Sequence, residues 1–186
     1  PFKQKVIPYL DILINDAKST NSVNTIFMSK EGKLTGDNTD VYGMQAAYLK
    51  DITLNSNRST KAIVIGAGGV APSIIFALKK TDIKKVFIAN RTREKAIFMK
   101  KKFPFIDILS LNEVPQRISE FDIIINATSL GLKNGEQFNV NLDGLTDKSI
   151  FIDTIYNPLE TKIIKHLKGK NIKTFNGLDM LIYQGQ

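Results

Sequence analysis

The sequence predicts an α/β fold, with a parallel sheet covered by helices on both faces and a smaller α/β region ahead of it. Three observations predict it. Short apolar runs recur at 62–65, 86–89, 122–126 and 149–153. Stretches with helical spacing lie between them, and such alternation gives parallel strands joined by crossover helices. A polar stretch without periodicity, 54–59, separates this part from the residues before it.

The elements follow in order. Residues 6–18 carry apolar positions at Val6, Leu10, Leu13 and Ala17, which predicts a helix with Pro8 in its first turn. A short strand is expected at 23–27, a turn at Glu31-Gly32-Lys33, and a return from Leu34. Thr39 or Asp40 is placed to cap a helix running to about Ile52, on the spacing of Met44, Ala47, Tyr48 and Ile52. Gly43 in its first turns is costly for helix propensity and points to close packing or ligand approach. The run 62–65 is continuous and apolar, as buried parallel strands are. A helix over 69–80 follows it, then a strand at 86–89, a helix over 92–102, a short strand at 106–109 and a short helix over 111–118. Strands at 122–126 and 149–153, a helix over 159–167 and a last strand at 172–174 complete the pattern.

Composition narrows the function. The chain has 186 residues, enough for one domain or two small ones. It contains no cysteine, which excludes thiol and disulfide chemistry and favours a reducing compartment, the cytoplasm. A single histidine, His166, cannot build a histidine-rich metal site; it reads as a surface residue on a helix, and no metal is expected. No apolar run approaches the roughly 18 residues of a membrane span, so no membrane partner is expected. The net charge of +8 suits an anionic ligand. The basic residues are spread along the chain without aromatic interleaving, so no nucleic-acid partner is expected. The chain begins with Pro1 and without a leader pattern, so its start is expected to be processed or incomplete.

The segment Ile65-Gly66-Ala67-Gly68-Gly69-Val70-Ala71 sits between an apolar strand and a helical pattern. Gly66 permits a tight turn, and Gly68 lets backbone approach a diphosphate. Ala71 stands where the third glycine of such turns packs helix against strand. The helix N-terminus beyond it presents unpaired N–H groups to an anion. Together these imply a Rossmann-like dinucleotide-binding unit. The next strand ends at Asn90-Arg91-Thr92-Arg93, without the acidic residue that would bind ribose hydroxyls. Arg91, Thr92 and Arg93 or Lys95 suit a ribose phosphate instead, which favours NADP. A capped, solvent-facing helix start explains Thr92 and Lys95 equally well. Asn126-Ala127-Thr128-Ser129-Leu130-Gly131 follows the strongest late strand, where loops line the crevice of such sheets. In the first region, spacing alone does not single out Lys3, Asn24 or Asp40. Lys3 reads as an N-terminal lysine and Asp40 as a helix cap.

Several segments, in order, resemble the shikimate dehydrogenase family. They are Pro1-Phe2-Lys3, Val23-Asn24-Thr25, Gly36-Asp37-Asn38-Thr39-Asp40 with Gly43, Gly66-Ala67-Gly68-Gly69, Asn90-Arg91-Thr92, and Asn126-Ala127-Thr128-Ser129. Asp153 with Tyr156, Pro158 and Thr161, and Gly177 with Met180, Leu181 and Gln184, continue the series. The resemblance implies NADPH-dependent reduction of 3-dehydroshikimate to shikimate in aromatic amino-acid biosynthesis, by a monomer or homodimer. Lys3 and Asp40 are then the catalytic pair mediating proton exchange, and Asn24, Tyr156 and Gln184 join them at the substrate. Gly66, Ala67, Gly68, Gly69, Val70 and Ala71 hold the diphosphate. Asn90, Arg91, Thr92 and Lys95 hold the adenosine phosphate, and Thr128 and Gly177 complete the cofactor set. The same resemblance implies a truncated substrate domain over 1–50, a linker at 51–60, an NADP-binding Rossmann-like domain over 61–175, and at 176–186 the start of a helix returning to the first domain. It also predicts that the strand at 23–27 lacks sheet neighbours, leaving a free edge and an uncovered apolar face. The alternatives are a quinate/shikimate dehydrogenase and a non-catalytic dinucleotide-binding module. The joint presence of Lys3, Asn24, Asp40 and Gln184 excludes a related folate enzyme.

Overall fold

The structure, a computed structural model, describes residues 2–50, 52, 60–81, 83, 85–133, 136 and 138–186. The linker expected at 51–60 lies outside the described residues except for Ile52 and Thr60. Two sheets organise the chain. The first is small, with strands β1 (Ile12–Leu13), β2 (Thr25–Met28) and β3 (Leu34–Asp37) in the order β1-β3-β2. β1 runs parallel to β3 and β2 antiparallel to it. The hairpin between β2 and β3 turns at Gly32, whose φ of 74° is in the left-handed region that glycine tolerates.

The second sheet has six parallel strands: β4 (Lys61–Ile65), β5 (Lys85–Ala89), β6 (Ile106–Ile108), β7 (Ile123–Asn126), β8 (Ile150–Asp153) and β9 (Lys173–Phe175). Their order is β6-β5-β4-β7-β8-β9, so the winding reverses between β4 and β7. Such a sheet leaves its crevice there, outside the carboxyl ends of the strands. The strand side chains divide by pleat. Ala62, Val64, Val86, Ile88, Ile123, Ile125 and Ile152 enter one core, and Ile63, Ile65, Phe87, Ala89, Ile124 and Phe151 the other. Both faces are buried, which is why these strands read as continuous apolar runs.

Helices that lie wholly within the described residues accompany the sheets: α1 (Asn15–Thr20), α2 (Thr39–Met44), α3 (Ala71–Lys79), α4 (Arg93–Lys102), α5 (Val114–Arg117), α6 (Lys162–Lys168) and α7 (Leu178–Gln184). Ile74, Ile75 and Leu78 of α3, Met99 of α4 and Met180 of α7 cover the first face. Val114 of α5 and Ile164 and Leu167 of α6 cover the second.

Several expectations are corrected. Residues 6–18 do not form one helix. A 3-10 turn at Ile7–Tyr9 leads to β1, and only α1 is helical. Asp11 N–H donates to Leu34 O and Ile14 N–H to Gly36 O, so pairing with β3 overrides the local spacing. The helix from Thr39 changes to π geometry at Gln45–Leu49, which rolls Tyr48 into the core to meet Asn176 O. Its cap is Asn38, whose side chain accepts from Asp40 N–H, so the Asp40 carboxylate is not spent on capping. The helix after the glycine turn begins at Ala71, and the one expected over 159–167 begins after Thr161, whose hydroxyl accepts from Ile164 N–H. The remaining expected elements stand, with ends moved by one to three residues.

Candidate active site

Three residues of the small lobe meet. Lys3 Nζ donates to Asp40 Oδ2 in a short ion pair across 37 positions of sequence. Asn24 Nδ2 donates to Asp40 Oδ1 at 3.0 Å and to Thr39 Oγ1 at 3.1 Å. Its Oδ1 accepts from Thr39 N–H at 3.0 Å and Thr25 Oγ1 at 3.1 Å. An amide has two donors and two acceptor positions, so Asn24 is saturated. The resemblance gives Asn24 to a substrate; the geometry gives its amide to Asp40, and a direct substrate bond requires exchanging one of these partners. The Asp40 side chain is only 5% exposed and that of Lys3 35%, so the carboxylate is fixed and the ammonium reaches solvent. Such a pair can hold a hydroxyl and move a proton.

α7 brings Gln184 to the same helix. A Cβ on Gly43 would lie 2.7 Å from Met180 O and 3.2 Å from Gln184 Cβ. Gly43 is therefore the contact point of α2 and α7. It lies three residues beyond Asp40 and so on the same helical face. Tyr156 stands in the loop after β8, exposed, and makes no hydrogen bond to Lys3 or Asp40 among the described residues.

The second component is a cleft of about 960 Å³ at the carboxyl ends of β4, β5 and β7. Gly66, Ala67, Gly68, Gly69, Val70, Asn90, Arg91, Lys95 and Thr128 line it, as expected. Gly66 has φ 111°, and a Cβ there would lie 2.8 Å from the Ala127 backbone and from Thr128 Cγ2. A Cβ on Gly69 would meet nothing within 4 Å, so packing within the described residues does not require glycine there. The N–H groups of Gly68, Gly69 and Val70 make no hydrogen bond among the described residues and stand at the start of α3. This cradle and the Arg91 and Lys95 cations fit a dinucleotide phosphate set.

Three members of the expected cofactor set do not line the cleft. Ala71 is fully buried in the helix–sheet core. A Cβ on Gly177 would collide with Thr154 O, so this glycine serves packing of α7 against the exit of β8. Thr92 precedes α4 without a side-chain cap, and its carbonyl accepts from Asn90 Nδ2 at 2.8 Å. Asn90 lines the cleft, but its Oδ1 accepts from Ala67 N–H at 3.0 Å, so its amide ties two loops together. His166 is exposed beside Asp143, as expected of a surface residue.

Sequence reasoning assigned no role to the buried polar groups that hold these loops. Asn38 Nδ2 donates to Thr20 Oγ1 at 2.8 Å and to Ser73 Oγ at 2.9 Å, joining the Asp40 loop to α3. Asp153 is fully buried and accepts from Asn126 Nδ2 at 2.9 Å and Thr161 Oγ1 at 2.8 Å. Burial pushes its carboxyl pKa up against these hydrogen bonds. Tyr48 OH donates to Asn176 O and accepts from Met180 N–H, and burial pushes its phenol up to about 12. The signal available was the polar residue inside an apolar run or at its end, such as Asn126 after three isoleucines. Among the described residues, no group of three or more metal-ligating side chains forms, and no helix is long and apolar enough to cross a membrane.

Known proteins are similar to this chain in sequence and fold. A family model described as Shikimate / quinate 5-dehydrogenase matches residues 49–153. A shikimate dehydrogenase (NADP(+)) of Pelagibacter ubique (strain HTCC1062) is 45% identical over 186 residues, which are 100% of this chain and 68% of that protein. The crystal structure of shikimate dehydrogenase from Aquifex aeolicus superposes with a TM-score of 0.87 at 38% identity, covering 100% of this chain and 66% of that one. That of shikimate 5-dehydrogenase from Thermus thermophilus in complex with NADP(H) and shikimate gives 0.84 at 29% identity, covering 100% and 67%. The chain spans about two thirds of the length of the curated relatives it matches.

Proposed function

This chain belongs to the shikimate / quinate 5-dehydrogenase family, and from that premise we propose that it serves the NADPH-dependent reduction of 3-dehydroshikimate to shikimate in aromatic amino-acid biosynthesis. The Lys3–Asp40 pair carries the reading. NADPH, when bound, supplies the hydride for a carbonyl carbon. The residues do the rest. Backbone N–H groups of Gly68, Gly69 and Val70 hold the diphosphate, and Arg91 with Lys95 holds the ribose phosphate. Lys3 Nζ gives a proton to the oxygen of the reduced carbonyl, and in the opposite direction takes it back. Asp40 keeps the ammonium in place and accepts from a neighbouring substrate hydroxyl. Asn24 fixes the orientation of Asp40, and Gln184 closes the same face of α2. Tyr156 joins the substrate from its exposed loop.

In this reading residues 1–50 belong to the substrate side and 61–175 to the cofactor side, with 51–60 linking them and 176–186 returning to the first. The protein works in the cytoplasm as a monomer or homodimer on a small-molecule substrate. The test is NADPH oxidation with 3-dehydroshikimate, repeated with Lys3→Ala and Asp40→Asn. Turnover that survives both substitutions rejects the pair. Quinate with NAD, run beside it, separates the stricter enzyme from a quinate/shikimate dehydrogenase. NADPH binding without turnover identifies a dinucleotide-binding module.

A further inference from the structure

Asp153 ends β8 with no exposure to solvent, and the proposed chemistry does not use it. Its Oδ1 accepts from Asn126 Nδ2 at 2.9 Å and Ile155 N–H at 3.2 Å, and its Oδ2 from Thr161 Oγ1 at 2.8 Å. A carboxylate only accepts, so Asn126 must turn its NH2 toward Asp153 and its oxygen away. That oxygen accepts from Thr128 N–H at 3.0 Å and Thr128 Oγ1 at 2.7 Å. With its hydrogen spent on Asn126, the Thr128 hydroxyl accepts from Leu130 N–H at 3.1 Å. One buried charge therefore sets the direction of every bond in a chain from β8 to the loop after β7. Thr128 lines the cleft, and its Cγ2 stands where a Cβ on Gly66 would meet it at 2.8 Å.

We infer that Asp153 is a positioning residue for the cofactor cleft: through Asn126 it fixes the 127–131 loop against the glycine bend and so sets the affinity for NADP(H). The inference rests on the proposed cofactor. It differs from a role in stability alone because direction as well as number of hydrogen bonds matters. Ile155 N–H and Asn126 Nδ2 both donate to Oδ1, so asparagine at 153 keeps its oxygen there and turns its NH2 toward the Thr161 hydroxyl, preserving the order. Alanine at 153 removes the acceptor and lets the Asn126 amide flip and face Thr128 N–H with donors. Aspartate at 126 with Asp153 retained sets two carboxylates face to face.

The experiment is fluorescence titration of the whole chain with NADPH, at a temperature where circular dichroism shows each variant folded. Asp153→Ala and Asn126→Asp each weaken binding about tenfold or more, the loss expected for a hydrogen bond involving a charged group. Asp153→Asn keeps affinity within about threefold of wild type, a gap well inside one tenfold step. Thr161→Val removes the bond to Oδ2 and leaves the chain to Thr128 intact, so it lowers thermal stability and keeps affinity. If Asp153→Ala does not fold, Asn126→Asp and Asp153→Asn carry the test. Unchanged affinity in Asp153→Ala or Asn126→Asp, or a loss of about tenfold or more in Asp153→Asn, overturns the inference and leaves the cofactor assignment standing. A wild-type chain that does not bind NADPH overturns both.

Discussion

The two sheets solve different problems. In the six-stranded sheet, Ile63, Val64, Ile123, Ile124 and Ile125 are fully buried, and the groups offered to a ligand are backbone N–H at the end of a strand. In the three-stranded sheet, Ile26, Phe27 and Met28 of β2 are exposed at 47%, 45% and 60%, and the proposed chemistry is carried by side chains. The difference teaches where precision comes from. A backbone site is built by a local bend, and a parallel strand buried on both faces holds the bend still. A side-chain pair drawn from 37 positions apart is assembled by contacts that no local sequence specifies. Here they are Asn24 on Asp40, Asn38 on Thr20 and Ser73, and α7 on Gly43.

The comparison breaks first at the pair. Lys3→Ala is expected to lower turnover by about 10²- to 10⁴-fold, as loss of a general acid does, while NADPH affinity by fluorescence stays unchanged. A parallel loss of affinity would mean that the two sites are not separable. Gly66→Ala is the reciprocal test. Its left-handed φ and the close Ala127 carbonyl impose strain of about 1–3 kcal/mol, read as NADPH binding weakened several-fold up to about 100-fold, with the Lys3–Asp40 pair unaffected. Arg91→Ala sharpens the cofactor half: preference for NADPH over NADH falls by about tenfold, the scale of one charge-assisted contact, measured as the ratio of the two dissociation constants.

The seam between the lobes leaves both sites in place and gives a pH signature. Tyr48→Phe leaves Asn176 O and Met180 N–H without their partner and costs about 1–3 kcal/mol in chemical denaturation. Burial favours the neutral phenol in the fold, raising its pKa from 10.0 to about 12. The sign follows: this contribution is fully present below pH 10 and is lost as pH rises through about 12. Wild type should lose stability over that range more steeply than Tyr48→Phe; equal slopes would remove Tyr48 from the seam.

Much of this molecule was legible beforehand. Continuous apolar runs marked β4, β5, β7 and β8, because strands covered on both faces need apolar residues at every position. The glycine bend was legible because strand, spacing and helix agree within seven residues. The reading of 6–18 as one helix failed where β1, two residues long, is held by β3 rather than by its own propensity. Gly177 entered the cofactor set through the resemblance alone, and its close approach to Thr154 O is a contact between residues far apart that no local pattern shows.

By itself, then, the sequence determined the parallel sheet, the glycine bend and the absence of thiol chemistry, since each depends on neighbouring residues or on composition. Only the tertiary structure decided that Asn38 caps α2 in place of Asp40, that Asn24 spends its amide on that carboxylate, and that Asp153 orients Asn126. Hydrogen-bond direction between distant side chains is fixed by packing, and packing of residues far apart in sequence leaves no local pattern to read.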